Sequence, residues 1–222
     1  MLRQLPSLLV LVITLFASSP LFAENWQPLF DGKTLDGWEQ KGGAAKYRVE
    51  NGEVVGTSVP NTGNSFLCTT KNYGDFILEL EFKVDPKLNS GVQIRSQCFD
   101  EPMVVADRKI PAGRVHGYQV EIDPSDRAWS GGIYDEGRRG WLNDLKNNEA
   151  ARKAFKPGEW NSFRVECRGD SIKTWLNGVP AADLKDSLTP EGFISLQVHG
   201  VGAEKEPREV RWRNIRIEEL AK

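Results

Sequence analysis

The sequence of 222 residues predicts an all-β fold: a sandwich or jelly roll of two antiparallel sheets, with one short helix in a loop. Three observations predict it. Apolar and polar residues alternate in short runs, the mark of half-buried strands. Glycines, prolines and Asn-Gly pairs punctuate those runs every 8 to 12 residues or so. A helical pattern occurs only from Asp144 to Phe155, inside what reads as a loop.

The N-terminus sets the compartment. Arg3 supplies a positive charge, an apolar run extends from Leu8 to Phe16, and Ser18-Ser19-Pro20 breaks it before Ala23. That layout predicts a secretory signal peptide over residues 1–23. The run is too short to span a bilayer, which takes roughly 20 apolar residues. Residues 24–222 are therefore expected to form one domain with no membrane anchor after cleavage, periplasmic or secreted.

Within that domain Asp75 to Val84 puts Phe76, Leu78, Leu80, Phe82 and Val84 on one face, and Glu159 to Arg168 alternates in the same way. Ser171–Leu176, the Asn177-Gly178 turn and Val179–Asp183 read as a hairpin. Further strands are predicted at Tyr47–Glu50, Glu53–Thr57, Ser65–Thr69, Gly91–Gln97, His116–Ile122, Phe193–His199 and Glu209–Glu218. The formal net charge of −2 is spread along the chain, with no basic block to suit nucleic acid. Cys68, Cys98 and Cys167 fit no metal knuckle and read as buried free thiols.

Three strands carry unusual polar faces. Opposite the aliphatic residues, Gly91–Gln97 presents Gln93 and Arg95, His116–Ile122 and the next residue present Gln119, Glu121 and Asp123, and Phe193–His199 presents Ser195, Gln197 and His199. As neighbours, these strands would form one patch with paired donors and acceptors suited to a polyhydroxylated ligand. A cross-strand network of solvated Arg–Glu pairs is the alternative. Two long loops flank the patch, 99–114 and 124–145. The second holds Trp129, Tyr134 and Trp141 among glycines, and such rings stack on sugars.

Leu29-Phe30-Asp31-Gly32-Lys33-Thr34-Leu35-Asp36-Gly37-Trp38 resembles the opening signature of the 3-keto-disaccharide hydrolase family. Asn89–Ser96, Gly117–Asp123, Gly131–Asp135, Glu159-Trp160-Asn161, Trp175–Gly178, Gly192–His199 and Val210–Ile215 resemble its later motifs in order. The resemblance spans the whole predicted domain. It implies a concanavalin A-like jelly roll and cleavage of glycosides oxidised at C3, with an oxidised di- or oligosaccharide as partner.

A ketone at C3 makes the C2 proton acidic, so the chemistry needs a base, an enolate stabiliser and an acid for the leaving oxygen. The expectation is Glu121 or Asp123 as base, His199 as proton donor and Arg95 as oxyanion stabiliser. Gln93, Gln119 and Gln197 would orient hydroxyls, with Tyr134, Trp129 and Trp141 as further sugar contacts. No cofactor is required, although Glu121, Asp123 and His199 would accept a divalent cation. Glu121-Ile122-Asp123 is also reminiscent of the catalytic strand of laminarinase-type glucanases, but Pro124 breaks the strand and residue 125 is Ser rather than a second acid. A lectin-like sugar-binding module is the non-enzymatic alternative. His116 reads as structural.

Overall fold

The computed structural model describes residues 25–204 and 206–221; the predicted signal peptide lies outside them. In chain order, β1 (Gln27–Pro28), β2 (Trp38–Gly42), β3 (Lys46–Glu50), β4 (Glu53–Thr57) and β5 (Ser65–Thr69) precede two long strands, β6 (Phe76–Val84) and β7 (Ser90–Gln97). A small hairpin of β8 (Met103–Val105) and β9 (Arg108–Ile110) leads to β10 (His116–Ile122), β11 (Ile133–Glu136) and β12 (Gly140–Asn143). Helix α1 (Glu149–Ala154) follows, then β13 (Asn161–Arg168), β14 (Ser171–Leu176), β15 (Val179–Lys185), β16 (Phe193–Val198) and β17 (Glu209–Glu219).

One sheet runs β15-β14-β13-β6-β17-β4-β3, with β1 beside β17; the other runs β12-β11-β10-β7-β16-β5-β2. Alternation explains the layers. On β6 the even-numbered residues from Phe76 to Val84 are buried, and on β13 so are Phe163, Val165 and Cys167. These pack with Val92, Tyr118, Val120, Leu196 and Val198 of the other sheet in one core. Phe82 and Phe163 have ring centroids 4.5 Å apart. Asn177 takes φ 51° and Gly178 φ 79° at the β14–β15 turn, a left-handed pair that Asn-Gly accommodates with little strain.

The helix is half the predicted length, because Asn148 caps it by accepting from the Ala151 amide and its neighbours are turns. The strands β2, β11 and β12 were not expected: each is flanked by the glycines that read as loop. The three cysteines are free thiols.

The arrangement that positions the site is β10-β7-β16 at the middle of the second sheet. Gln93 lies opposite both Gln119 and Ser195, so the predicted adjacency of the three polar strands is present. One residue leaves the pattern. Arg95 sits in a bulge with φ 45°, which turns its side chain out of the alternation. Its guanidinium is wholly buried, donating to the carbonyls of Gly74 and Gly169 and to Asp75. The expected oxyanion role of Arg95 is thereby corrected: it ties the two sheets together at one end of the sandwich.

Candidate active site

The outer face of the second sheet is only partly open. Val115 and Cys98, from the segment around the β8–β9 hairpin, pack with Phe66, Cys68 and Phe193. Phe66 and Cys68 lie opposite Gln197 and Ser195, so this segment roofs that half of the face. Gln93 and Gln197 are consequently fully buried. Both were expected to touch substrate; instead they work from beneath. Each donates its amide to Gln119 Oε1, at 2.5 and 2.8 Å, which fixes the Gln119 amide so that Nε2 donates to Glu121 Oε2 at 2.7 Å. Gly91 makes room for this ladder: a Cβ there would stand 2.6 Å from Gln119 Cδ.

Glu121 forms the floor of an open cavity of about 400 Å³ at the uncovered end. It is 4% exposed. Burial pushes its carboxyl up from 4.5 to about 7, against the opposing pull of hydrogen bonds from Asn89 and Gln119. Asn89 Nδ2 reaches Oε1 at 2.7 Å. A carboxyl poised there exchanges protons near neutrality, which suits a general base.

Asp123 does not share this role. Oδ1 accepts from the Ser125 hydroxyl at 2.6 Å and the Ser125 amide at 3.2 Å, while Oδ2 accepts from Arg127 Nε at 2.7 Å and the Trp129 amide at 3.3 Å. These bonds and the Arg127 charge outweigh burial and hold its carboxyl below the usual range. Asp123 organises the turn that delivers Arg127 to the cavity, so its expected part as base or metal ligand is corrected. Arg127, which the sequence reading passed over, stacks 4.7 Å from the Trp129 ring and 5.3 Å from that of Trp141. One guanidinium nitrogen lies 4.0 Å from Glu121. Trp141 lines the cavity; Trp129 braces it and Arg127 from behind.

Across the cavity stand Tyr134, Glu136 and His199. Glu136, also missed from sequence, is buried and paired with Arg114. Burial raises its carboxyl, opposed by Arg114 and by His199 nearby. Tyr134 is likewise raised, by burial first and then by the charges of Glu136 and Glu121. Its hydroxyl has no protein partner among the described residues. His199 is exposed and places Nδ1 2.8 Å from the Gly200 carbonyl, leaving Nε2 for a ligand. Asn64 steadies this turn by accepting from the Gly200 amide at 2.9 Å. Among the described residues no three His, Cys, Asp or Glu side chains converge as a metal site, and Glu121, Asp123 and His199, whose residue types would allow a cation, are not such a cluster.

His116 is buried against Phe99, with both ring nitrogens unpartnered. Burial first, then Arg138, lowers its pKa to about 4, in keeping with a neutral structural side chain. A larger cavity of about 850 Å³ opens on the first sheet beside Trp175. Its carboxylates are all engaged: Asp31 accepts from the Lys33 and Thr34 amides, Glu81 pairs with Arg213, and Arg216 and Arg164 outweigh the effect of burial on Glu79 and hold it low. It offers no poised acid or base, and the smaller cavity is the better candidate.

Fold and site together define a jelly roll with an acidic, sugar-sized cleft at one end of its second sheet. Residues 25–218 match the family described as the 3-keto-alpha-glucoside-1,2-lyase-like domain, and the chain belongs to that family. It is similar to the 3-keto-disaccharide hydrolase of Bacteroides thetaiotaomicron, at 25% identity over 246 residues, covering 90% of this chain and 80% of that protein. Among solved structures it resembles the carbohydrate-binding module CBM66 of Bacillus subtilis, with TM-score 0.57 and 17% identity, covering 82% of this chain and 95% of the other. It also resembles a β-1,3-1,4-glucanase (lichenase) from a mouse hindgut metagenome, with TM-score 0.54 and 11% identity, covering 90% and 100%. At such identities these two structures bear on the fold alone.

Proposed function

We propose that the protein cleaves 3-keto glycosides by elimination and hydration, with Glu121 as the base. The observation that carries this is a carboxyl buried at the floor of an open cavity and raised to about 7. Family membership supports this substrate class. Glu121 removes the C2 proton, and the electron pair moves into the C3 carbonyl as an enolate. The Arg127 guanidinium and the Tyr134 hydroxyl are the donors available to that oxygen. The enolate re-forms the ketone as the C1–O bond breaks, and the leaving oxygen takes a proton from His199, which lines the cavity with Nε2 free of a protein partner among the described residues. Water then adds across C1=C2: its hydroxyl goes to C1, its proton passes to His199, and Glu121, after exchange with solvent, gives a proton to C2, so both groups regain their starting state.

A sugar-binding module would gain nothing from two desolvated carboxyls facing one cavity, since each costs folding stability. That cost favours an enzyme. The test is turnover in heavy water, with the product analysed by mass spectrometry and NMR. Elimination and hydration put deuterium at C2 of the released 3-keto sugar; direct hydrolysis leaves C2 protonated and would sink the mechanism. We further infer that the protein works outside the cytoplasm, a reading that rests on the sequence of residues 1–23.

A further inference from the structure

A second depression of about 560 Å³ adjoins the Glu121 cavity and shares Tyr134 and Glu136 with it. Its character is different. Where the first is acidic, the second is lined by Arg108, Arg114, Arg138 and Arg139 against the single acid Glu136. Three of the four guanidinium groups have partners. Arg138 is fully buried and donates to Asp135 and Thr189; Arg139 donates to Asp135 and Asp186; Arg114 pairs with Glu136 but stays 45% exposed. Arg108, on β9, is exposed and has no carboxylate partner among the described residues. The depression thus holds one uncompensated positive charge, backed by guanidinium groups that are held in place and so lose little freedom on binding.

We propose that this depression is the subsite for the group attached at C1 of the sugar, and that it recognises a carboxylate on that group. The inference rests on the reading of the adjoining cavity as the sugar site. A planar carboxylate matches the fork of a guanidinium, and Arg108 and the exposed edge of Arg114 supply the donors. A neutral aglycone would leave Arg108 without a partner.

The test compares 4-carboxyphenyl α-glucoside with its methyl ester, both unoxidised, by titration calorimetry. The same comparison is made with Arg108→Gln and at low and high salt. The carboxylate should bind the wild type about tenfold more tightly than the ester, and the preference should shrink in salt and vanish in Arg108→Gln. Equal affinities, a preference that survives Arg108→Gln, or no binding of either glycoside would overturn the inference. KM values for the two 3-keto derivatives are measured alongside. A binding preference without turnover would refute the proposed reaction and leave the subsite standing.

Discussion

The burial of Glu121 should be readable as a pH dependence of stability that one substitution removes. Folding shifts its carboxyl from 4.5 to about 7, mainly by desolvation. At about 1.4 kcal/mol for each pKa unit, that is worth about 3 kcal/mol. The sign follows from the direction. A raised carboxyl favours the folded state while both states are protonated, below about pH 4.5, and that advantage is lost as the pH rises through 7. Glu121→Gln cannot ionise. It loses acceptor geometry toward Asn89 and Gln119, but that penalty does not vary with pH. The stability difference between wild type and variant should therefore move by about 3 kcal/mol in favour of the variant between about pH 4 and pH 8.5. Urea unfolding of both proteins at each pH measures it, every other titrating group being common to the pair. A change below about 1 kcal/mol would mean that the carboxyl titrates normally, and the argument for a poised base would fail.

Three further outcomes separate structural from chemical roles. Arg95→Ala should cost about 3 kcal/mol or more in thermal or urea unfolding, because it leaves Asp75 and two carbonyls without their donor. Arg95→Met, where it folds, should turn over substrate at a rate near the wild type; a specific loss of kcat would restore a catalytic role. Gly91→Ala should displace Gln119, destabilise by about 1 to 3 kcal/mol and lower kcat more than it raises KM, measured on the same 3-keto substrate. Asp123→Asn should release Arg127, changing the fluorescence of Trp129 and Trp141 and lowering kcat by about tenfold or more, because Arg127 is a donor to the enolate oxygen; an unchanged kcat would remove Arg127 from that role.

The strands that alternate against a half-exposed face, β6 and β13, were legible residue by residue, since a period of two follows from burial on one side. The adjacency of β10, β7 and β16 was legible from their shared polar character. What alternation cannot show is what lies above a face. Gln93 and Gln197 point the expected way but are roofed by the segment that carries Cys98 and Val115. Nor does it reveal a bulge at a residue other than glycine, which is how Arg95 came to be assigned to the wrong side. Glu136 was hidden because Gly131, Gly132, Gly137 and Gly140 made β11 and β12 look like loop, when three of them instead take positive φ at the turns around β11. Arg127 was hidden because it sits in the turn before β11, where alternation gives no signal. The signal present in that stretch was Tyr134-Asp135-Glu136: strict alternation there puts Tyr134 and Glu136 on the face of Gln119.

The central claim is that Glu121 is the base of a 3-keto glycosidase, and the most direct measurement is turnover of a 3-keto α-glucoside by residues 24–222 and by Glu121→Gln, with folding of each checked by circular dichroism. The account predicts release of the 3-keto sugar by the wild type and a drop of about 10² to 10⁴ in kcat for the folded variant. Undiminished turnover by Glu121→Gln, or a wild type that binds the glycoside and never cleaves it, would contradict it.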